Sequence, residues 1–165
     1  MLDENALDPG FPDRFDQRQR LPAQLYIISP AVLDVDFPNR LARALDGGPV
    51  AAFQLRLKGL DEHAIAKRAE PLQKLCSDHD VAFIINDSIS ITKRLGADGV
   101  HLGQSDGDPR EAREILGKDA QIGVTCHNSR HFAMEAGEAG ADYVAFGAFY
   151  PSGTKITQHI ADTAL

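Results

Sequence analysis

The sequence predicts an α/β fold of the TIM (β/α)8-barrel type, with about six strand–helix units present in its 165 residues. Three observations predict it. Short apolar runs alternate with segments of helical period, the pattern of a parallel sheet with right-handed crossovers. Gly96-Ala97-Asp98-Gly99-Val100-His101-Leu102-Gly103 recurs as Gly140-Ala141-Asp142-Tyr143-Val144-Ala145-Phe146-Gly147, 44 residues further on. That regularity favours a barrel over a doubly wound sheet, whose switch point would break it. Finally, four polar clusters stand where strands run out: Gln54 to Lys58, Asn86-Asp87, Gln104 to Asp106 and Pro151 to Lys155.

In order along the chain, residues 1–23 carry three prolines, several charges and no apolar period, and read as a mobile N-terminal extension to a domain over 24–165. The strands are expected at 25–28, 50–57, 81–85, 99–103, 122–126 and 143–149. Among the helices between them, the second puts Ile65, Ala69, Leu72 and Leu75 on one stripe. Asp98 and Asp142 precede their strands, at the end of a barrel that carries stability rather than chemistry. Six units fall short of a closed barrel, which leaves the first and sixth strands as edges. A chain short of two units, or a short one that closes by forming a homo-oligomer, would both fit.

Composition narrows the classes. A hydrophobic share of 43% and a charged share of 25% suit a soluble domain. A net charge of −7 argues against nucleic-acid binding, so any anion site must be a local gathering of cations. No apolar run is long enough to cross a bilayer, and the acidic start lacks a signal peptide's basic region, so a cytoplasmic location without membrane association is expected. Cys76 and Cys126 give neither a disulfide framework nor zinc spacing, which suits a reducing compartment.

In the second strand, a period of two puts Ala51, Phe53, Leu55 and Leu57 under the helices and turns Gln54, Arg56 and Lys58 into the barrel. Two inward cations call for an anion or for a structural ion pair with nearby acids. The third strand ends in Asn86-Asp87, where helix capping is the competing reading. The fourth ends in Gln104-Ser105-Asp106. Carboxylates such as Asp87 and Asp106, from adjacent strands, can share one Mg2+ and leave positions for water and phosphate oxygens. Thr125 closes the fifth strand. Beside it, His127 reads as a polar rim residue and Cys126 as an unactivated thiol. In Pro151-Ser152-Gly153-Thr154-Lys155, backbone amides, two hydroxyls and a lysine suit a phosphate, with a plain turn as the alternative.

The join of Gln54-x-Arg56-x-Lys58 to Asn86-Asp87, Gln104-x-Asp106 and the Pro151–Lys155 loop resembles the thiamine-phosphate synthase family over roughly residues 25–160. Threonine stands at 125 where that family usually has serine, and Ser152 replaces the first threonine of its Pro-Thr-x-Thr-Lys loop. The resemblance implies a transferase that joins hydroxymethylpyrimidine diphosphate to a thiazole phosphate, releasing pyrophosphate and forming thiamine phosphate. It further implies that Gln54 holds the pyrimidine, that Arg56, Lys58 and Lys155 stabilise the leaving pyrophosphate, and that Asn86, Thr125, Ser152 and Thr154 contact substrate. Asp87 and Asp106 would hold Mg2+. A related thiazole tautomerase, working by proton transfer without magnesium, and an idle phosphate-binding barrel fragment are the competing readings.

Overall fold

The computed structural model describes residues 23–151 and 159–164. Among these, β1 (Leu25–Ile28), β2 (Val50–Leu55), β3 (Ala82–Asn86), β4 (Gly99–Leu102), β5 (Gln121–His127) and β6 (Tyr143–Phe146) alternate with α1 (Phe37–Asp46), α2 (Glu62–Asp78), α3 (Ile89–Leu95), α4 (Pro109–Leu116) and α5 (Arg130–Glu138). The strands are all parallel and lie side by side in chain order, with β1 and β6 at the edges. Side chains nevertheless join those edges: the Tyr26 and Tyr143 hydroxyls are 2.8 Å apart. Five strand spacings in a flat sheet would separate β1 from β6 by about 24 Å. The sheet therefore curls into a half-barrel with the tyrosines inside.

Four of the helices start where a short polar side chain can take up an unpaired N–H. Asp61 accepts from Ala64 (2.8 Å), Ser88 from Ile91 (3.2 Å), Asp108 from Arg110 (2.8 Å) and Ser129 from Phe132 (3.2 Å). The core lies between these helices and the convex face of the sheet. Phe53, Leu55 and Leu57 meet Leu41, Leu45, Ala69, Leu72 and Cys76 there, while Val100, Leu102 and Ile122 meet Ala112. Both cysteines are free and buried, and burial pushes the Cys76 thiol up to about 12.

The repeated aspartates fix strand register. Asp98 donates its N–H to the Phe83 carbonyl (3.0 Å), and its carboxylate accepts the N–H of that same residue (2.7 Å). Asp142 treats Ile122 in the same way (2.8 and 2.7 Å) and also meets Arg113 at 2.7 Å. Both sit at the amino ends of the strands, where the sequence placed them as structural groups.

Several boundaries differ from expectation. β2 stops at Leu55 rather than Leu57, because the next N–H groups leave the ladder: Arg56 donates to Ser29 Oγ (2.8 Å) and Lys58 to the Ala31 carbonyl (3.2 Å). β6 stops at Phe146 rather than 149, where Gly147, at φ +151°, turns the chain away. The buried stripe of α2 is Ala66, Ala69, Leu72 and Cys76, with Ile65 and Leu75 only flanking it. Ala51 is half-buried, so the helix-facing set of β2 begins at Phe53. The extension over residues 1–22 lies outside the described residues.

Candidate active site

Because the sheet is parallel, every segment that follows a strand opens onto one end. Gln54, Arg56, Lys58, Asn86, Asp87, Asp106 and Thr125 all belong to that end, on β2 to β5 or just beyond them. Ser152, Thr154 and Lys155 lie outside the described residues.

Gln54 is 2% exposed, a burial that an amide tolerates only when it is hydrogen-bonded. Its Nε2 donates to Asn86 Oδ1 at 3.3 Å, across the β2–β3 pair. Arg56 shares this inward face by the period of two and is half-buried. Lys58 forms an ion pair with Asp87, so the structural pairing considered for the β2 cations is realised at Lys58. Capping does not account for Asn86-Asp87, since the α3 cap is Ser88. Asp87 instead adopts φ +68°, while its N–H donates to the His101 carbonyl at 2.8 Å. A left-handed conformation is uncommon outside glycine, and aspartate is among the residues that adopt it most readily.

Asp106 bends back so that its carboxylate accepts the Gly103 N–H at 2.9 Å. A Cβ at 103 would collide with that carboxylate, so any other residue there would have to displace the Asp106 side chain. Loss of solvent raises the Asp106 carboxyl above its usual range. A hydrogen bond from the protonated Asp106 to Asp87 and the charge of Asp87 push the same way, against the Gly103 N–H and Lys58. Two carboxylates set side by side in this way repel one another, and a divalent cation would relieve that repulsion. Mg2+ takes hard oxygens, commonly one or two carboxylates with the remaining positions left to water and phosphate, and the pair fits it.

Thr125 Oγ1 lies 2.8 Å from His101 Nε2, and the Gln104 amide donates to the Thr125 carbonyl. His127 sits at the rim with φ +52°, its ring 4.9 Å from that of His159. Inside the mouth the structure adds three residues that sequence reasoning passed over: His101, Tyr143 and Tyr26. Their signal was present, since Val100 and Leu102 are both fully buried against helices and His101, between them, must face inward. An open groove of about 610 Å3 lies elsewhere, between the β4–α4 loop and α5, lined by Asp108, Arg110, Phe132 and Glu135. It includes neither Gln54 nor the acid pair, so it is not the site the strands build.

The fold and mouth define a parallel β/α half-barrel with a polar, acid-paired site at the carboxyl ends of its strands. The chain belongs to the family described as thiamine monophosphate synthase, whose model matches residues 25–165. It is 66% identical to a thiamine-phosphate synthase of Erythrobacter litoralis over 82% of this chain and 64% of that protein. With the thiamine-phosphate synthase of Rhodospirillum centenum it shares 54% identity over 84% of this chain and 68% of the relative. A thiamine phosphate pyrophosphorylase from Pyrococcus furiosus superposes with a TM-score of 0.70 at 29% identity, covering 81% of this chain and 64% of the other. The chain thus spans about two thirds of the length of these relatives.

Proposed function

We propose that the mouth binds hydroxymethylpyrimidine diphosphate with Mg2+ and transfers its pyrimidinylmethyl group to a thiazole phosphate, giving thiamine phosphate and pyrophosphate. The observation that carries this reading is the juxtaposition of the Asp87 and Asp106 carboxyls, with Lys58 on Asp87, beside the buried Gln54–Asn86 pair. Relatives named thiamine-phosphate synthase support it. So does the match to the family model.

In this reading Gln54, held by Asn86, presents its amide to the pyrimidine ring. Asp87 and Asp106 would hold Mg2+, which when bound would supply charge neutralisation for the diphosphate. Arg56, Lys58, Asn86 and Lys155 surround the departing pyrophosphate, while Thr125, Ser152 and Thr154 donate to phosphate oxygens. The bond from the methylene carbon to the diphosphate oxygen breaks, and its electron pair leaves with pyrophosphate. The ring amino group offsets the positive charge on the carbon, and the thiazole nitrogen lone pair forms the new bond. No protein nucleophile takes part, and catalysis is mainly electrostatic.

The reading extends to a closed (β/α)8 barrel, to a cytoplasmic location, to small-molecule partners in place of nucleic acid or membrane, and to association as a homo-oligomer. Among the described residues no helix is long and apolar enough to cross a membrane. The test is pyrophosphate release from the two substrates, with and without magnesium. Magnesium-dependent release that needs Asp87 and Asp106 is expected; isomerisation of a thiazole without magnesium, carried by His127, would replace this reading with that of a tautomerase.

A further inference from the structure

Below the mouth, four side chains from four strands form a single file. Tyr26 Oη lies 2.8 Å from Tyr143 Oη, Tyr143 Oη lies 3.2 Å from His101 Nδ1, and His101 Nε2 lies 2.8 Å from Thr125 Oγ1. The rings also pack on one another, with centroids 5.8 Å apart for the two tyrosines and 5.6 Å for Tyr143 and His101. Gly123 faces both His101 and Tyr143 in the strand ladders. A Cβ at 123 would enter the Tyr143 ring, so glycine serves here to admit the tyrosine. Gly123 is not among the glycines of positive φ, which removes the usual backbone reason for it.

Hydrogen-bond arithmetic leaves two polarities for this file. Each hydroxyl has one proton, and a neutral imidazole has one donor and one acceptor nitrogen. Either Tyr26 donates to Tyr143, Tyr143 to Nδ1 and Nε2–H to Thr125, or every bond runs the other way. In the first arrangement the Thr125 proton stays free at the mouth. In the second it is committed to His101. An anion held at the mouth selects the first.

We propose that Tyr26, Tyr143 and His101 are positioning residues, which act through one another to set the Thr125 hydroxyl as a donor toward an anionic phosphate oxygen. This rests on the reading of the mouth as a pyrophosphate site and goes beyond it in assigning the three interior residues. As charge builds on the leaving group, bonds aligned in one direction reinforce each other. None of the three needs to touch the substrate for this effect.

The test is a double-mutant cycle on the full 165-residue chain, titrating inorganic pyrophosphate in excess Mg2+ by calorimetry. Tyr143→Phe keeps the ring and removes the hydroxyl, and should weaken binding about fivefold, the range of one net hydrogen bond. Thr125→Val should weaken it at least as much, Thr125→Ser should retain wild-type affinity, and adding Tyr143→Phe to Thr125→Val should change nothing further. Nitrogen NMR of the bound wild type should find His101 protonated at Nε2. If Tyr143→Phe fails to fold, Tyr26→Phe at the partly exposed end of the file completes the cycle, with about a twofold loss expected. Wild-type binding with an unaffected Tyr143→Phe, additive losses in the double variant, or an Nδ1-protonated ring would overturn the relay alone. A wild-type chain that binds no pyrophosphate would overturn the proposed function and the relay with it.

Discussion

Replacing Asp106 by asparagine should move function and stability in opposite directions. Asparagine keeps an oxygen for the Gly103 N–H and nearly the same shape, so the turn is retained. It also removes a carboxyl that is raised in the folded protein, first by loss of solvent and then by Asp87 beside it. A carboxyl raised on folding binds more protons in the folded state, so stability falls as pH rises from its unfolded value of about 3.9 through the folded one. Asp106→Asn should abolish that fall. Because the side chain is exposed at the rim, relief of the repulsion is discounted to about 0.3–1 kcal/mol at neutral pH. The effect on function is larger: with Mg2+ at the proposed acid pair, losing one of its two carboxylates should reduce turnover about a hundredfold, or about 2.7 kcal/mol of charge stabilisation. Urea melts from pH 4 to 8 and Mg2+-dependent pyrophosphate release measure the two effects. A variant that is less stable than wild type at pH 7, or one that keeps its activity, would refute the reasoning about the acid pair.

Asp87→Ala should likewise cost about a hundredfold in pyrophosphate release, whereas His127→Ala should cost much less; the reverse order under saturating magnesium would count against the transferase. Asp142→Ala strips the acceptor from the Ile122 N–H and from Arg113, and should destabilise by about 2–3 kcal/mol. Asp98→Ala, with the matching N–H bond to Phe83 and no arginine partner among the described residues, should cost less in the same urea melts. The His79 pKa is raised, first by its bond to the Leu75 carbonyl and then by Asp46. Its contribution is therefore present in full below about pH 6.5 and is lost as pH rises through the folded value, a slope that His79→Gln should flatten in pH-dependent denaturation.

Strand order, direction and the inward face of β2 were legible because they follow from alternation and from a period of two. Gln54 inside, and Phe53, Leu55 and Leu57 against helices, needed only that rule. Where the ladder ends was not legible. Leu57 fits a strand pattern, but Ser29 Oγ and the Ala31 carbonyl capture the backbone that would have extended it, and such partners from another segment leave no periodic trace. The α2 stripe was misplaced for a related reason. Ala66 and Cys76 are small enough to face the sheet, while the bulkier Ile65 and Leu75 fill the flanks. At the site, residue types were readable but pairings were not. That Ser88 rather than Asn86 or Asp87 caps α3, which leaves the acid free to meet Lys58, depends on a left-handed turn at a non-glycine residue.

The paired bonds of Asp98 to Phe83 and of Asp142 to Ile122 bear on how such a protein can change over time. Each anchors the start of one strand to a specific residue of an earlier one, so the alignment of the floor does not depend on what happens at the far end. Loops at the mouth can then lengthen, shorten or exchange residues without a one-residue slip that would turn every inward side chain outward. Chemistry and scaffold are thereby exposed to selection separately, and a new ligand preference could arise by altering one end alone.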